Sequence, residues 1–206
     1  VSHAVLAVEF AAGNLQSEAR AARYAALAGW MEARGLAALA TAHHADDQAE
    51  TLLLRLNRGS GVAGLAGVRE RGRAPGSDLL LVRPLLGWRR RELEEVIAAS
   101  GLRAVADPSN LDDRFDRVRI RKALAGADWL DPAALAQSAA NLADADEALE
   151  WAARREWREA VQPQPFGLAY RCRAPRAVAL KVIARSGREM DGEEARGSQI
   201  ARLHDS

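Results

Sequence analysis

The chain has a single cysteine, Cys172, in 206 residues. That excludes an internal disulfide framework and any paired-cysteine metal or redox motif, and makes a reducing cytoplasm the default setting. It has only two lysines, Lys122 and Lys181, so nearly all of its positive charge is arginine. The formal net charge is +1, so bulk charge announces no polyanionic partner. No apolar run approaches the roughly 18–20 residues of a membrane span. The N-terminus lacks a basic stretch leading into an apolar core, so no secretory signal is read there. Internal repeats are absent.

What is present fits an ordinary folded protein. Apolar residues make up 49% and charged residues 28%, a balance that sets the chain apart from disordered sequences. The length allows one large domain or two small ones. Arginine richness also fits a GC-rich coding sequence, so the informative feature is its local grouping, at Arg89-Arg90-Arg91 and from Arg114 to Arg121.

The densest chemistry lies in TAHHADDQAETLLLRLNRGSGVAGLAG, residues 41–67. His43, His44, Asp46, Asp47 and Glu50 fall within eight residues. Before them, Leu36 to Ala42 is a short unbroken apolar run, read as a strand buried on both faces of a parallel sheet. After them comes a helix through Leu52, Leu53, Leu54 and Leu56. Acidic residues favour a helix N-terminus, so one aspartate is explained by capping alone. Two aspartates beside two histidines, with Glu50 one turn on, point to a site. Open α/β sheets place ligands beyond the carboxyl ends of their strands. Such a group suits Mg²⁺, through oxygen ligands, or an amine. The loop Gly59-Ser60-Gly61 reads either as a phosphate-facing nest or as a plain helix stop.

Around this stretch the chain reads as follows. VSHAVLAVEF, residues 1–10, is a strand or a strand remnant, and it lacks an initiating methionine, so a fragment is expected. Asn14 caps a helix over 15–34 whose stripe is Leu15, Ala19, Ala22, Ala26 and Trp30. RERGRAPGSD, residues 69–78, is an exposed loop. Leu79 to Val82 is a strand. Residues 88–100 form a helix with Leu93, Val96 and Ile97 inward. Asp107 to Asn110 is a turn. The alternation of Arg114, Phe115, Arg117, Arg119 and Arg121 with Asp112, Asp113 and Asp116 reads as a salt-bridged helix start or as a phosphate-binding cluster. Residues 132–160 form a long alanine-rich helix or helix pair, with Leu135, Leu142, Leu149 and Trp157 toward the core. Residues 162–165 are a linker, 166–172 a strand, 177–188 a helix, and 193–206 a further helix. Cys172 is read as filler.

Four segments, GNLQSEARAARY (13–24), TAHHADDQAETLLLRLNRGSGVAGLAG (41–67), VRPLLGWRRRELE (82–94) and ADPSNLDDRFDRVRIR (106–121), occur in an order that resembles the tRNA(Ile)-lysidine synthases. These are N-type ATP pyrophosphatases of the PP-loop superfamily. The likeness covers roughly residues 13–160. It implies an α/β fold: part of a parallel-sheet PP-loop ATPase domain over 1–125, then a mainly helical, tRNA-facing region over 126–206. The implied reaction uses ATP and Mg²⁺ to adenylate the C2 oxygen of the wobble cytidine in tRNA-Ile with a CAU anticodon. The amine of free lysine then displaces AMP.

On this sequence, the resemblance makes Asp46, Asp47 and Glu50 the lysine and metal group, with Asp46 and Asp47 as Mg²⁺ ligands. It makes His43 an orienting group for the acidic pair or a phosphate. Arg20 and Arg23 are expected to face ATP phosphate or the acidic cluster. Arg55, Arg58 and Ser60 extend the nucleotide- or tRNA-facing edge. Asn110, Arg114, Arg117 and Arg121 are expected to touch the tRNA backbone or ATP. A homodimer is compatible with the family.

One departure matters. The family's SGGxDS loop, which cradles the ATP phosphates, occurs nowhere in these 206 residues, so the polypeptide alone is expected not to make lysidine. A cytidine-thiolating PP-loop enzyme needs paired cysteines and does not fit. The competing reading from another class is a non-catalytic tRNA-binding fragment or decayed paralogue. A helical scaffold with incidental charge leaves HHADDQAE after a strand unexplained.

Overall fold

The computed structural model describes residues 3–8, 15–105 and 112–191, with the side chains of 15–17 and 191 excepted. Asn14, the turn at 107–110 and the expected helix over 193–206 lie outside the described residues. The chain forms two compact units. One comprises Val1–Ser60 with Gly67–Ala139, and the other Gly61–Ala66 with Ala140–Ser206.

In the first unit, α1 (Leu15–Glu32) is followed by β1 (Ala38–Ala40), α2 (Ala45–Asn57), β2 (Arg71–Arg73), β3 (Leu80–Val82), α4 (Arg90–Ala99) and α5 (Asp116–Ala125), while the short helix α3 (Val62–Leu65) falls in the second. The sheet order is β1-β3-β2, with β1 parallel and β2 antiparallel to β3. Tyr24 from α1, Ala74 and Leu81 form the buried cluster, with Leu39 and Leu79 packed against it. The parallel pair sends both carboxyl ends the same way. Thr41 continues the ladder by donating its N–H to the Val82 carbonyl at 3.0 Å.

Several expectations are corrected here. Residues 3–8 take no regular structure. Strand β1 is not buried on both faces. It is an outer strand among the described residues, with Ala38 and Ala40 exposed and Leu39 only half-buried. The buried stripe of α1 is Tyr24, Ala28 and Met31, one step round from the expected one. The expected loop at 69–78 contains β2, whose polar composition is overridden by pairing with β3. On α4, Leu93 is half-buried, whereas Val96 and Ile97 are 55% and 37% exposed.

The second unit holds most of α6 (Pro132–Ala160), a hairpin of β4 (Val161–Gln164) and β5 (Gly167–Tyr170), and α7 (Arg176–Asp191). The 132–160 segment is one helix. Its most buried positions are Ala139, Asp146, Ala153 and Ala160, one every seven residues, so small side chains line the deepest seam. The expected leucines and Trp157 flank that seam, half-buried. Of the residues expected as a linker, 162–164 belong to strand β4 and Pro165 to the turn after it. Pro163 in β4 is tolerated because the two-stranded ribbon has only edge strands. Ala153, Val178 and Val182 form the core of this unit. Half-buried Lys181 there meets Asp146 at 2.9 Å and Glu150 at 2.5 Å.

Candidate functional site

Two helix N-termini meet where the parallel strands end. After β1, the chain turns through His43 and His44 into α2. After β3, it turns through Arg83 to Trp88 into α4. The Ala45 N–H donates to the Trp88 carbonyl at 2.9 Å, which holds the two starts together. Asp46 lies between them. Its carboxylate accepts from the Arg90 N–H at 2.7 Å, and from Arg89 Nη2 at 3.2 Å and Nε at 3.3 Å. A carboxylate at the start of α4 also answers that helix's dipole. Partial burial pushes the Asp46 pKa up, but the hydrogen bonds and charge of Arg89 and the Arg90 N–H outweigh it, and the net value lies below the ordinary 3.8. Arg89 also reaches Asp131 at 3.4 Å.

Asp47 acts one turn differently. It accepts the His44 N–H at 3.1 Å, so it closes the first turn of α2, as capping logic anticipated. Glu50 is 2% exposed and lies against α5. Arg121 donates to it from Nε at 2.6 Å and from Nη2 at 3.2 Å, and Arg117 approaches to 3.8 Å. The hydrogen bonds from Arg121 to Glu50 raise the Arg121 pKa.

His43 is half-buried and lies 2.9 Å from Thr41 Oγ1 through Nδ1. Burial lowers its pKa below 6.5. Asp47 opposes the shift, and Arg83, Arg117 and Arg20 reinforce it. Three guanidiniums therefore bear on one imidazole that is neutral at pH 7. Arg20 also stacks over Tyr24 at 5.3 Å. Arg83 is 7% exposed, and its Nη1 donates to the Arg69 carbonyl at 2.6 Å.

The structure brings Asp46, Asp47, Glu50, His43, Arg20, Arg117 and Arg121 into this region. Other candidates lie apart or are occupied. Arg23 and Arg55 are exposed. Arg58 pairs with Asp116 at 3.0 Å, and Arg114 pairs with Asp112 at 2.6 Å. Asn110 lies outside the described residues. At Ser60, the loop proves to be a helix stop: the Gly59 and Ser60 N–H groups are spent on the Leu56 and Arg55 carbonyls, both at 3.0 Å. The sequence reading noted Arg89 within the run Arg89-Arg90-Arg91 but gave neither it nor Arg83 a site role. Their partners, Asp46 and the Arg69 carbonyl, are remote in sequence.

Mg²⁺ is usually held by one or two carboxylates together with substrate phosphates. Asp46 spends both oxygens on Arg89 and Arg90, and Asp47 spends one on the His44 N–H. Among the described residues no three metal-binding side chains gather. The set as arranged does not fit a bound Mg²⁺, and no step is derived through one. A hollow of about 290 Å³ opens here, lined by Asp46, Glu50, Arg89 and Arg121 above Leu124, Ala125 and Pro132.

Carboxylates and guanidiniums gathered past the carboxyl ends of parallel strands mark the ligand end of an α/β domain. A PP-loop domain model matches residues 1–127, and the chain belongs to the PP-loop family. It is 45% identical over 206 residues to a tRNA(Ile)-lysidine synthase of Novosphingobium aromaticivorans, covering 98% of this chain and 63% of the relative. It is 36% identical over 209 residues to that of Zymomonas mobilis, covering 98% and 64%. With that of Ruegeria pomeroyi it shares 49% over 141 residues, 68% of this chain and 33% of the relative. The chain thus spans less than two thirds of the length of these relatives. No helix among the described residues is long and apolar enough to cross a membrane.

Proposed function

We propose that this chain carries the amino-acid side of a tRNA(Ile)-lysidine synthase, in the cytoplasm. The reaction joins free lysine to C2 of the wobble cytidine of tRNA-Ile (CAU anticodon) through an adenylated tRNA. The observation that carries the reading is the hollow beside α2. Lysine brings ammonium groups, a carboxylate and an apolar stem. The hollow offers carboxylates, guanidiniums and the apolar atoms of Leu124, Ala125 and Pro132. Its volume sits near the small end of ligand sites, which start at about 300 Å³.

In this reading Asp46, Asp47 and Glu50 hold the lysine ammonium. Because Arg89 and Arg121 already pair with two of these carboxylates, an entering ammonium shares or displaces a guanidinium. The attacking amine must first lose a proton, and His43, held neutral, is the acceptor. ATP, when bound, supplies the adenylyl group that makes the C2 oxygen a leaving group, with pyrophosphate released as the oxygen bonds to the α-phosphorus. The lysine nitrogen then bonds to C2, the C2–O bond breaks, and AMP departs with that oxygen. Arg20, Arg83 and Arg117 face the phosphates, where preorganised positive charge counts most. Arg23, Arg55, Arg58, Ser60, Asn110 and Arg114 belong to the nucleotide- or tRNA-facing edge, and 126–206 to the tRNA-facing part.

Calorimetric titration of free lysine into the 206-residue chain tests the pocket. Binding is expected, weakened at least about tenfold (1.4 kcal/mol) in Asp46→Asn and in Glu50→Gln, the two carboxylates that line the hollow. A wild-type chain that shows no heat with lysine up to about 10 mM, well above a millimolar Kd, would remove the amino-acid assignment.

A further inference from the structure

We propose that Thr41 is a positioning residue for the joining of lysine. Its hydroxyl accepts the Nδ1–H of His43 and so fixes the tautomer in which Nε2 keeps a lone pair for the proton of the attacking amine. The inference rests on the reading of His43 as proton acceptor and names the group that makes the ring fit for that role.

The sheet places Thr41. It directly follows β1, and its N–H donates to the Val82 carbonyl at 3.0 Å, so its backbone is held at the carboxyl end of the parallel pair. A β-branched side chain is also stiff at χ1. The hydroxyl is therefore a fixed group, and His43 Nδ1 lies 2.9 Å from it. The ring makes no other hydrogen bond among the described residues. His44 is placed differently. Its Nδ1 lies 3.7 Å from Asp46 and its Nε2 3.5 Å from Asp47, so both of its nitrogens face carboxylates. Of these two adjacent histidines, His43 is the one with a nitrogen left for a ligand.

A threonine hydroxyl can donate or accept, and the surroundings decide the direction. The charged groups that bear on the His43 ring are Arg20, Arg83, Arg117 and one carboxylate, Asp47. Guanidiniums only donate. If Thr41 donated to Nδ1, the ring would carry its own N–H at Nε2, under three positive charges and with no acceptor hydrogen-bonded to it. With Nδ1–H on Thr41, the N–H has its acceptor and the lone pair answers the positive charge. The hydrogen bond made by one ring nitrogen sets the state of the other. In the reaction the lysine N–H bond breaks as Nε2–H forms, and the electron pair stays on the lysine nitrogen. The ring becomes an imidazolium that still donates Nδ1–H to Thr41. A base held in the wrong tautomer can lose about 10⁴-fold in rate, so one hydroxyl decides whether this ring works.

The test is nitrogen NMR of the histidine rings in the isotope-labelled 206-residue chain at about pH 8, above the ordinary histidine pKa of about 6.5. The chain has four histidines, and the signals of His43 are those that vanish in His43→Gln. Wild-type His43 is expected to show a protonated Nδ1 and an unprotonated Nε2, the reverse of a free neutral histidine. Thr41→Val keeps the branched shape and the backbone N–H, and should move the proton to Nε2. Thr41→Ser restores the hydroxyl and should return the proton to Nδ1. A wild-type ring with its proton on Nε2 would overturn the proposal, as would a Thr41→Val ring that keeps Nδ1–H. Circular dichroism checks that each variant folds, and the wild-type spectrum stands without them. Lysine titration is read separately. Lysine bound by a chain whose His43 carries Nε2–H would remove the tautomer lock alone, whereas an Nδ1–H ring in a chain that binds no lysine would remove the amino-acid assignment alone.

Discussion

Glu50 and Arg121 stand 71 residues apart in sequence and meet through two hydrogen bonds, at 2.6 and 3.2 Å, that fasten α5 to α2. The carboxylate is 2% exposed, so it has no water to fall back on. Removing one partner of a buried pair leaves the other charge uncompensated, at a cost of about 3–5 kcal/mol. Arg121→Ala should therefore lower Tm by roughly 6–20 °C for a chain of this size. Arg117→Ala, whose guanidinium approaches Glu50 only to 3.8 Å, should cost much less. Scanning calorimetry of the two variants decides it, and equal losses would mean that Arg121 is not the principal partner.

Gly67 should resist substitution. It has φ +65°, and a Cβ there would lie 2.4 Å from Gln48 Oε1. That amide is buried and clamps Val68, donating to its carbonyl at 2.8 Å and accepting its N–H at 2.9 Å. Gly67→Ala both strains the backbone, at about 1–3 kcal/mol, and pushes the clamp apart, at about 1 kcal/mol per hydrogen bond. Urea melts should show an unfolding free energy lower by about that sum, with an unchanged m. Gln48→Ala should recover part of the loss in the double variant, because the clash then disappears. Strict additivity would argue against the contact.

Acid should unfold the chain in two stages through this site. His43 titrates lower in the folded state than its ordinary 6.5, so below pH 6.5 the unfolded chain binds more protons and stability falls with pH. Asp46 is depressed below 3.8, and its contribution is lost only at still lower pH. The imidazole therefore governs the first part of the decline. In His43→Gln the stability-against-pH curve should be flatter just below pH 6.5 and unchanged in shape near pH 3. A wild-type slope in that variant would place the responsible histidine elsewhere.

Elements fixed by local signals were the legible ones. The extent of α2 followed from its acidic first turn and Gly59, and α6 from its unbroken alanine-rich composition. The 69–78 and 162–165 segments misled because their strands exist through pairing, β2 with β3 and β4 with β5, which overrides loop-like and proline-bearing sequence. In the site, the cluster from His43 to Glu50 was legible because its members are adjacent. Arg89 was not, because Asp46 lies 43 residues away. Gln48 was readable in principle: Ala45, Gln48, Ala49 and Leu52 share the buried helical spacing, and an amide on that stripe demands a partner.

Arg89 keeps Asp46 out of circulation, and its removal should show this. Two of the three hydrogen bonds to that carboxylate come from the Arg89 side chain. Arg89→Ala leaves only the Arg90 N–H, so Asp46 retains negative charge with a free oxygen beside Asp47. An oxygen-ligand site for a hard cation then becomes available. Thermal melts with and without MgCl₂ should show no metal-dependent shift in the wild-type chain and a rise in the variant. At a Mg²⁺ concentration 100 times its Kd the rise corresponds to about 2.7 kcal/mol of added stability. Arg89→Lys, which keeps the charge but not the fork, should fall between. A metal-dependent shift already present in the wild type would show that the latch opens without help, and would return Asp46 and Asp47 to the role of Mg²⁺ ligands.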